Sequence, residues 1–259
     1  MFDAHNHLDR CPDPADALAQ ARLTGVRGQV LAGVDVAGWR RQAAVARDAP
    51  DLWCAYGIHP WTAGSTSEED HGALVEHLVR ALDGALGVPP CALGELGLDE
   101  ARRRGPAERK RQRALFRAQL ALARERDLPV VLHVVRAHGA ALGILRRDGL
   151  PAAGGVVHSA STPPDLVPSY LDLGLHLSFG PALTRHDKAR AAAALVPQNR
   201  LLVETDAPDQ APAGESPPSS PSCLPRVVAA LAEVHGVPAE VMADATAAAA
   251  RRLYRLPAA

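Results

Sequence analysis

The chain has 259 residues, 47% hydrophobic and 22% charged, enough apolar material for one large α/β barrel or two smaller domains. A formal net charge of −1 argues against a protein that coats duplex nucleic acid by bulk electrostatics and leaves a local basic patch as the route to any polyanion. The cysteines Cys11, Cys54, Cys91 and Cys223 are dispersed, without a C-x-x-C pair, which argues against a disulfide framework and a cysteine zinc site. No apolar run approaches the roughly 18 residues of a membrane span. A metal-capable pattern beginning at residue 3 leaves no room for a signal peptide, so a reducing cytoplasm is the expected compartment.

Short apolar runs alternate with longer helical patterns, the signature of βα units around a parallel sheet. Met1–His7 reads as a strand, Asp13–Leu23 as a helix, Gln29–Gly33 as a strand and Trp39–Ala49 as a helix. Strand Leu52–Ile58, helix Glu68–Leu86, strand Cys91–Glu95 and helix Ala107–Arg126 follow. Leu128-Pro129 breaks the chain before strand Pro129–His133, because proline disfavours helix in the residue before it. Next come helix Ala137–Asp148, strand Gly155–His158, helix Asp165–Leu173, strand Leu175–Ser178, helix His186–Leu195 and strand Leu201–Thr205. Two C-terminal helices, Pro221–His235 and Ala239–Tyr254, complete the pattern. Eight strand candidates predict one α/β domain over residues 1–259, a (β/α)8 barrel with no composition shift to divide it.

Polar residues fall where such a barrel puts its chemistry. His7, His59, Glu95, His133, His158 and Asp206 each sit at or just past a predicted strand end, and the C-terminal strand ends of a barrel converge on the catalytic face. His5 and His7 project together because strand side chains two apart share a face. Singly, each is as ordinary as a surface histidine; together they predict a shared metal site. Glu95 can bridge two ions, His133 and His158 can complete the second ion's shell, and Asp206 can bind one metal while facing the water between them. Two divalent ions about 3.5–4 Å apart suit the displacement of a phosphoryl group. The two lysines, Lys110 and Lys188, lie away from strand ends, which rules out a carboxylated-lysine bridge and makes Glu95 the natural one.

The segments DAHNHLD (3–9), GIHP (57–60), GELGLD (94–99), LPVVLH (128–133), GGVVHS (154–159) and LLVETDAP (201–208) resemble, in order, those of the TatD family of metal-dependent deoxyribonucleases in the amidohydrolase superfamily. The resemblance implies a barrel, metal-dependent phosphodiester hydrolysis and a nucleic-acid substrate, often attacked from a 3′ end. It places metal ligands at His5, His7, Glu95, His133, His158 and Asp206, and gives Asp206 the task of orienting or deprotonating the nucleophilic water. Three segments depart from the family pattern: Ser159-Ala160-Ser161 replaces Phe-Ser-Gly after His158, Arg136 is displaced by one position from the usual His-Ser-Arg, and Ala249-Ala250 replaces Asn-Ala.

Further residues are candidates for touching substrate: His59, otherwise a structural histidine beside Pro60, and the neighbours Arg136 and His138. Arg102, Arg103 and Arg104 follow Glu95 on the expected rim, where guanidinium groups can grip phosphates. Arg109, Lys110, Arg111 and Arg113 continue this cluster onto a helix face that reads equally as ordinary solvated surface. Trp61 is the best candidate for a base-stacking ring, and the Pro-, Ser- and Gly-rich 208–225 segment is a rim loop. The resulting expectation is a monomeric hydrolase that uses two divalent ions (Zn, Mg or Mn) to cut DNA, preferably at single-stranded or frayed 3′ ends. Two other classes stay open: a metal hydrolase of a small amide, lactone or aminated base, and a catalytically weakened binding or regulatory subunit.

Overall fold

In the computed structural model, which describes residues 1–101 and 105–257, the strands and helices alternate as βα units. They run β1 (Asp3–Asn6), α1 (Pro14–Leu23), β2 (Gln29–Ala32), α2 (Val36–Ala46), β3 (Leu52–Tyr56), α3 (Pro60–Ser65), α4 (His71–Leu82), β4 (Pro90–Asp99) and α5 (Pro106–Arg126). Then follow β5 (Val130–Val135), α6 (His138–Asp148), β6 (Gly155–Val157), α7 (Val167–Leu171), β7 (His176–Phe179), α8 (Asp187–Ala194), β8 (Leu201–Val203), α9 (Leu224–His235) and α10 (Ala239–Leu253). The eight strands form one sheet in the order of the chain, from β1 to β8. This is a (β/α)8 barrel. No described helix is long and apolar enough to cross a membrane.

The chain clusters into two compact units. The first comprises Met1–Leu31, Ala49–Trp53 and His158–Ala259; the second comprises Ala32–Asp48 and Cys54–Val157. In the first, Phe2 is fully buried and stacks on Trp53 at 5.6 Å, while the Tyr254 hydroxyl donates to the Ala4 carbonyl (3.0 Å). Arg22 grips Asp51 through two hydrogen bonds of 2.8 and 2.6 Å. In the second, Val130, Val131 and Leu132 of β5 are wholly buried, the continuous apolar run of a strand covered on both faces.

Two differences from the sequence reading matter for the site. The chain forms a short helix at α3, where Pro60 takes the first helical position and His59 caps it; proline is pre-organised for that place, but six residues are too few to show a period. Strand β4 also continues past Glu95, pairing with β5 as far as Asp99↔Val135. Gly97 makes this possible. Its φ is +146°, and a Cβ there would lie 2.0 Å from the His133 carbonyl oxygen, so only glycine fits.

Candidate metal centre

In the first unit the chain ends of β1 and β8 meet. The Asp206 N–H donates to the His5 carbonyl (3.1 Å) and the His7 N–H to the Ala207 carbonyl (2.7 Å). Asp3 locks this seam by accepting from Thr205 Oγ1 (2.6 Å), the Thr205 N–H (3.0 Å) and Asn6 Nδ2 (2.9 Å). Even so, burial pushes its carboxyl up to about 7. The frame brings both histidines onto one oxygen: Nε2 of His5 and Nε2 of His7 each lie 3.5 Å from Asp206 Oδ1. The His158 ring stacks on that of His5 at 3.9 Å.

Burial acts to raise the Asp206 pKa, but its bond to His7 and the positive fields of His5 and His158 hold the carboxyl well below the usual range. Asp206 (φ 49°) and Ser159 (φ 44°) both adopt the left-handed backbone, which is uncommon outside glycine and concentrates at functional sites. Gln210 joins them, donating Nε2 to Asp206 Oδ2 (2.8 Å) and to Ser159 Oγ (2.7 Å). Behind His158, Glu204 Oε1 lies 3.6 Å from Nδ1 and accepts the Ser159 N–H at 2.5 Å. Its burial raises the Glu204 pKa.

The second unit builds a different cluster around Glu95. His133 Nδ1 lies 2.9 Å from Glu95 Oε1, and His59 Nε2 lies 3.5 Å from the same oxygen. As the cap of α3, His59 accepts the Trp61 backbone N–H at Nδ1 (3.1 Å), which puts the neutral ring's proton on Nε2, the nitrogen that faces His133 Nδ1 (3.3 Å) as well as Glu95. On its far side His133 Nε2 lies 3.5 Å from Asp99 Oδ2, so the ring spans two carboxylates. Burial works to raise the Asp99 pKa, yet bonds from His133, the Ala101 N–H (2.8 Å) and the Trp61 indole N–H hold it well below the usual range.

Helix α5 supports these strand ends from behind. The Asp99 N–H donates to Gln112 Oε1 (3.0 Å) and Gln112 Nε2 donates to the Asp99 carbonyl (3.2 Å). Gln119 repeats the reciprocal pair with Ile58, at 2.7 and 3.0 Å. Both amides are almost wholly buried, and this pairing satisfies them as buried polar groups require.

The donor sets suit divalent ions. Ligand atoms of His5, His158 and Asp206 lie within 4.8 Å of one another, as do those of His59, Glu95 and His133. Ligands about 2.1 Å from a tetrahedral ion stand about 3.4 Å apart, close to the 3.5 Å between Asp206 and each of His5 and His7. Mixed imidazole and carboxylate donors accept zinc and, through the oxygens, magnesium or manganese.

Of the residues expected from sequence, His5, His7, His158 and Asp206 thus gather in the first unit, and Glu95 and His133 in the second. His59 is buried within the Glu95 cluster. Arg136 is exposed just past β5 at φ 54°, and His138 opens α6, its pKa lowered by burial. Arg102, Arg103 and Arg104 lie outside the described residues. The cations beyond them have protein partners: Arg109 and Arg113 face Glu100 (3.6 and 3.5 Å), Lys110 faces Glu68 (3.0 Å), and Arg111 donates to the Gly64 carbonyl (2.6 Å). The rim loop is tied down, with the Ala213 N–H on Thr184 Oγ1 (2.8 Å) and Asp209 on Arg10 (2.8 Å). Sequence reasoning missed Asp3, Asp99, Glu204, Gln112, Gln119 and Gln210. Asp99 and Glu204 had a signal, since each stands an even number of residues from a ligand candidate in a strand-end segment.

A family model described as TatD related DNase matches residues 2–255. The chain belongs to the TatD family. It is 32% identical to the metal-dependent hydrolase YjjV of Escherichia coli (strain K12), over 99% of this chain and 98% of that one. The crystal structure of that TatD homolog superposes with a TM-score of 0.90 over 99% of this chain and 98% of its own. A 3′-5′ ssDNA/RNA exonuclease TatD of Erwinia tasmaniensis is 34% identical over 99% of this chain and all of its own. Like its TatD relatives, this protein is a metal-dependent hydrolase, and its clustered histidines and carboxylates are the candidates for holding the metal.

Proposed function

We propose that this chain hydrolyses phosphodiester bonds of DNA with two divalent ions, working from single-stranded or frayed 3′ ends. The observation that carries this reading is Asp206, an ionised carboxylate with one oxygen toward His5 and His7 and the other held by Gln210. Such a group can orient a water and take its proton. The full-length similarity to a 3′-5′ ssDNA/RNA exonuclease supports the choice of substrate.

In this reading His5, His7, Glu95, His133, His158 and Asp206 would hold the ions, and Asp206 would also orient the attacking water. When bound, the ions polarise the phosphate and offset the charge that develops on it. The chain's own groups do the rest. His59 packs its Nε2 against His133 Nδ1 and the Glu95 carboxylate, while Asp99 and Glu204 hold the rings of His133 and His158. As water oxygen bonds to phosphorus, its proton passes to Asp206, and the bond from phosphorus to the sugar oxygen breaks, that oxygen taking a proton from solvent to leave as the alcohol. The altered Ser159 is accommodated: its N–H serves Glu204 and its hydroxyl serves Gln210. Ala249 and Ala250, another of the three departures, are buried in α10. The same reading places a monomer in a reducing cytoplasm.

The test is an assay of end-labelled linear and circular single strands and of duplexes, in zinc, magnesium and manganese. Release should start at the 3′ end of linear single strands, with duplexes cut more slowly and circles spared. Equal cutting of linear and circular strands would refute the end requirement. Cutting of neither would move the assignment to a hydrolase of small amides, lactones or aminated bases.

A further inference from the structure

Among the described residues four large hydrophobic side chains are exposed, and Trp61, at 41%, is the aromatic one. Exposure alone says little, because single apolar residues are normal on surfaces. The way this ring is held says more. Its indole N–H donates to Asp99 and its backbone N–H to His59 Nδ1. The ring meets His59 at 4.6 Å in a T-shaped contact and lies 6.3 Å from His133. An exposed indole is thereby fixed in direction, in contact with the His59 ring of the Glu95 cluster.

We infer that Trp61 is a stacking platform for an unpaired nucleobase of the strand being cut, near the nucleotide whose phosphate reaches the Glu95 cluster. The inference rests on the phosphodiester reading and adds to it a subsite that recognises bases. An indole anchored at its polar edge stacks with little loss of side-chain freedom, since its rotamer is already set. Bases inside a duplex have both faces covered, so only an unpaired end offers one. Every base has such a face and the sugar takes no part, so stacking is tolerant of sequence and of DNA or RNA.

Another role for the ring would be to buttress Asp99, and the test separates the two. Trp61→Phe keeps an aromatic face and loses the bond to Asp99; Trp61→Leu loses both. Steady-state kinetics would be measured on a linear decathymidylate and on the same strand with abasic residues at its 3′ end. Stacking predicts that Trp61→Leu raises KM about tenfold with kcat little changed, and that Trp61→Phe retains most of the affinity. The wild type should lose a similar factor on the abasic strand, where Trp61→Leu should show no further loss. Equal damage from Phe and Leu, or a Leu penalty that persists on the abasic strand, would overturn the inference in favour of buttressing. If Trp61→Leu fails to fold, the wild type decides by itself: indifference to the missing bases ends the proposal, and a tenfold loss supports it. A wild type that cuts no oligonucleotide in any metal brings down the phosphodiester reading and this subsite with it. Cutting that is unaffected by Trp61→Leu brings down the subsite alone.

Discussion

The two units hold their histidine–carboxylate clusters in different ways. In the first, the support is lateral and close in sequence to what it supports: Asp3 and Thr205 stitch β1 to β8, and the residues that carry the chemistry are their neighbours His5 and Asp206. In the second, the support comes from behind and from far along the chain, where Gln112 and Gln119 of α5 hold the backbone at Asp99 and Ile58. The carboxylates behind the histidines differ as well. Asp99, with several donors, stays well below the usual carboxylate range, while Glu204, more deeply enclosed, is raised. A strand seam fixes a site by short-range motif residues. A helix does the same with two amides that belong to no motif.

The strongest way to break this comparison is to remove the central carboxylate of each cluster. Asp206→Asn should lower kcat about a hundred- to ten-thousandfold while sparing most of the substrate affinity. Glu95→Gln, which keeps size and removes charge, should cost at least one ion by elemental analysis, because a negative group no longer offsets nearby dications. Two tightly retained ions in Glu95→Gln, or an unchanged rate in Asp206→Asn, would show that the clusters are mis-assigned.

The next effect tests the supporting groups. Asp99→Asn should weaken metal binding about 10–100-fold in a chelator competition, the usual consequence of loosening the partner of a ligating histidine. Gln210→Leu should instead lower kcat with metal content intact, since Gln210 holds the oxygen of Asp206 that faces away from the histidines. Matching losses of metal in both variants would erase the distinction between the units.

Smaller effects concern stability. Gln119→Leu leaves the Ile58 N–H and carbonyl without their buried partner, so chemical denaturation should show a loss of about 1–3 kcal/mol. Arg22→Ala, at the partly exposed pair with Asp51, should cost less than about 1 kcal/mol. The hydrogen bond from Arg22 lowers the Asp51 pKa. That contribution is therefore present above the ordinary carboxylate range and is lost as pH falls through the lowered value. Melting curves of the two proteins should converge in acid.

This contrast also explains what could be read before the structure. The alternation of short apolar runs with amphipathic stretches revealed all eight strands, because period and punctuation are local properties. His5, His7 and Asp206 were legible because strand spacing and strand ends place them. Asp99 was hidden because the strand was expected to end at Glu95, whereas Gly97 lets β4 pass the His133 carbonyl and run on to Asp99. Gln112 and Gln119 were hidden for another reason. On a helix of mixed charge, a buried glutamine looks like any polar surface residue until the strand end it faces is known.

The seven residue steps from Gln112 to Gln119 span about 10 Å and two turns of helix, so α5 acts as a ruler laid between two strand ends. One residue inserted between them would turn the second amide by about 100° away from Ile58, and no side-chain adjustment restores two reciprocal bonds at once. Length in this stretch is therefore as constrained as residue identity is at a ligand position, and tolerance to insertion should reappear only outside it.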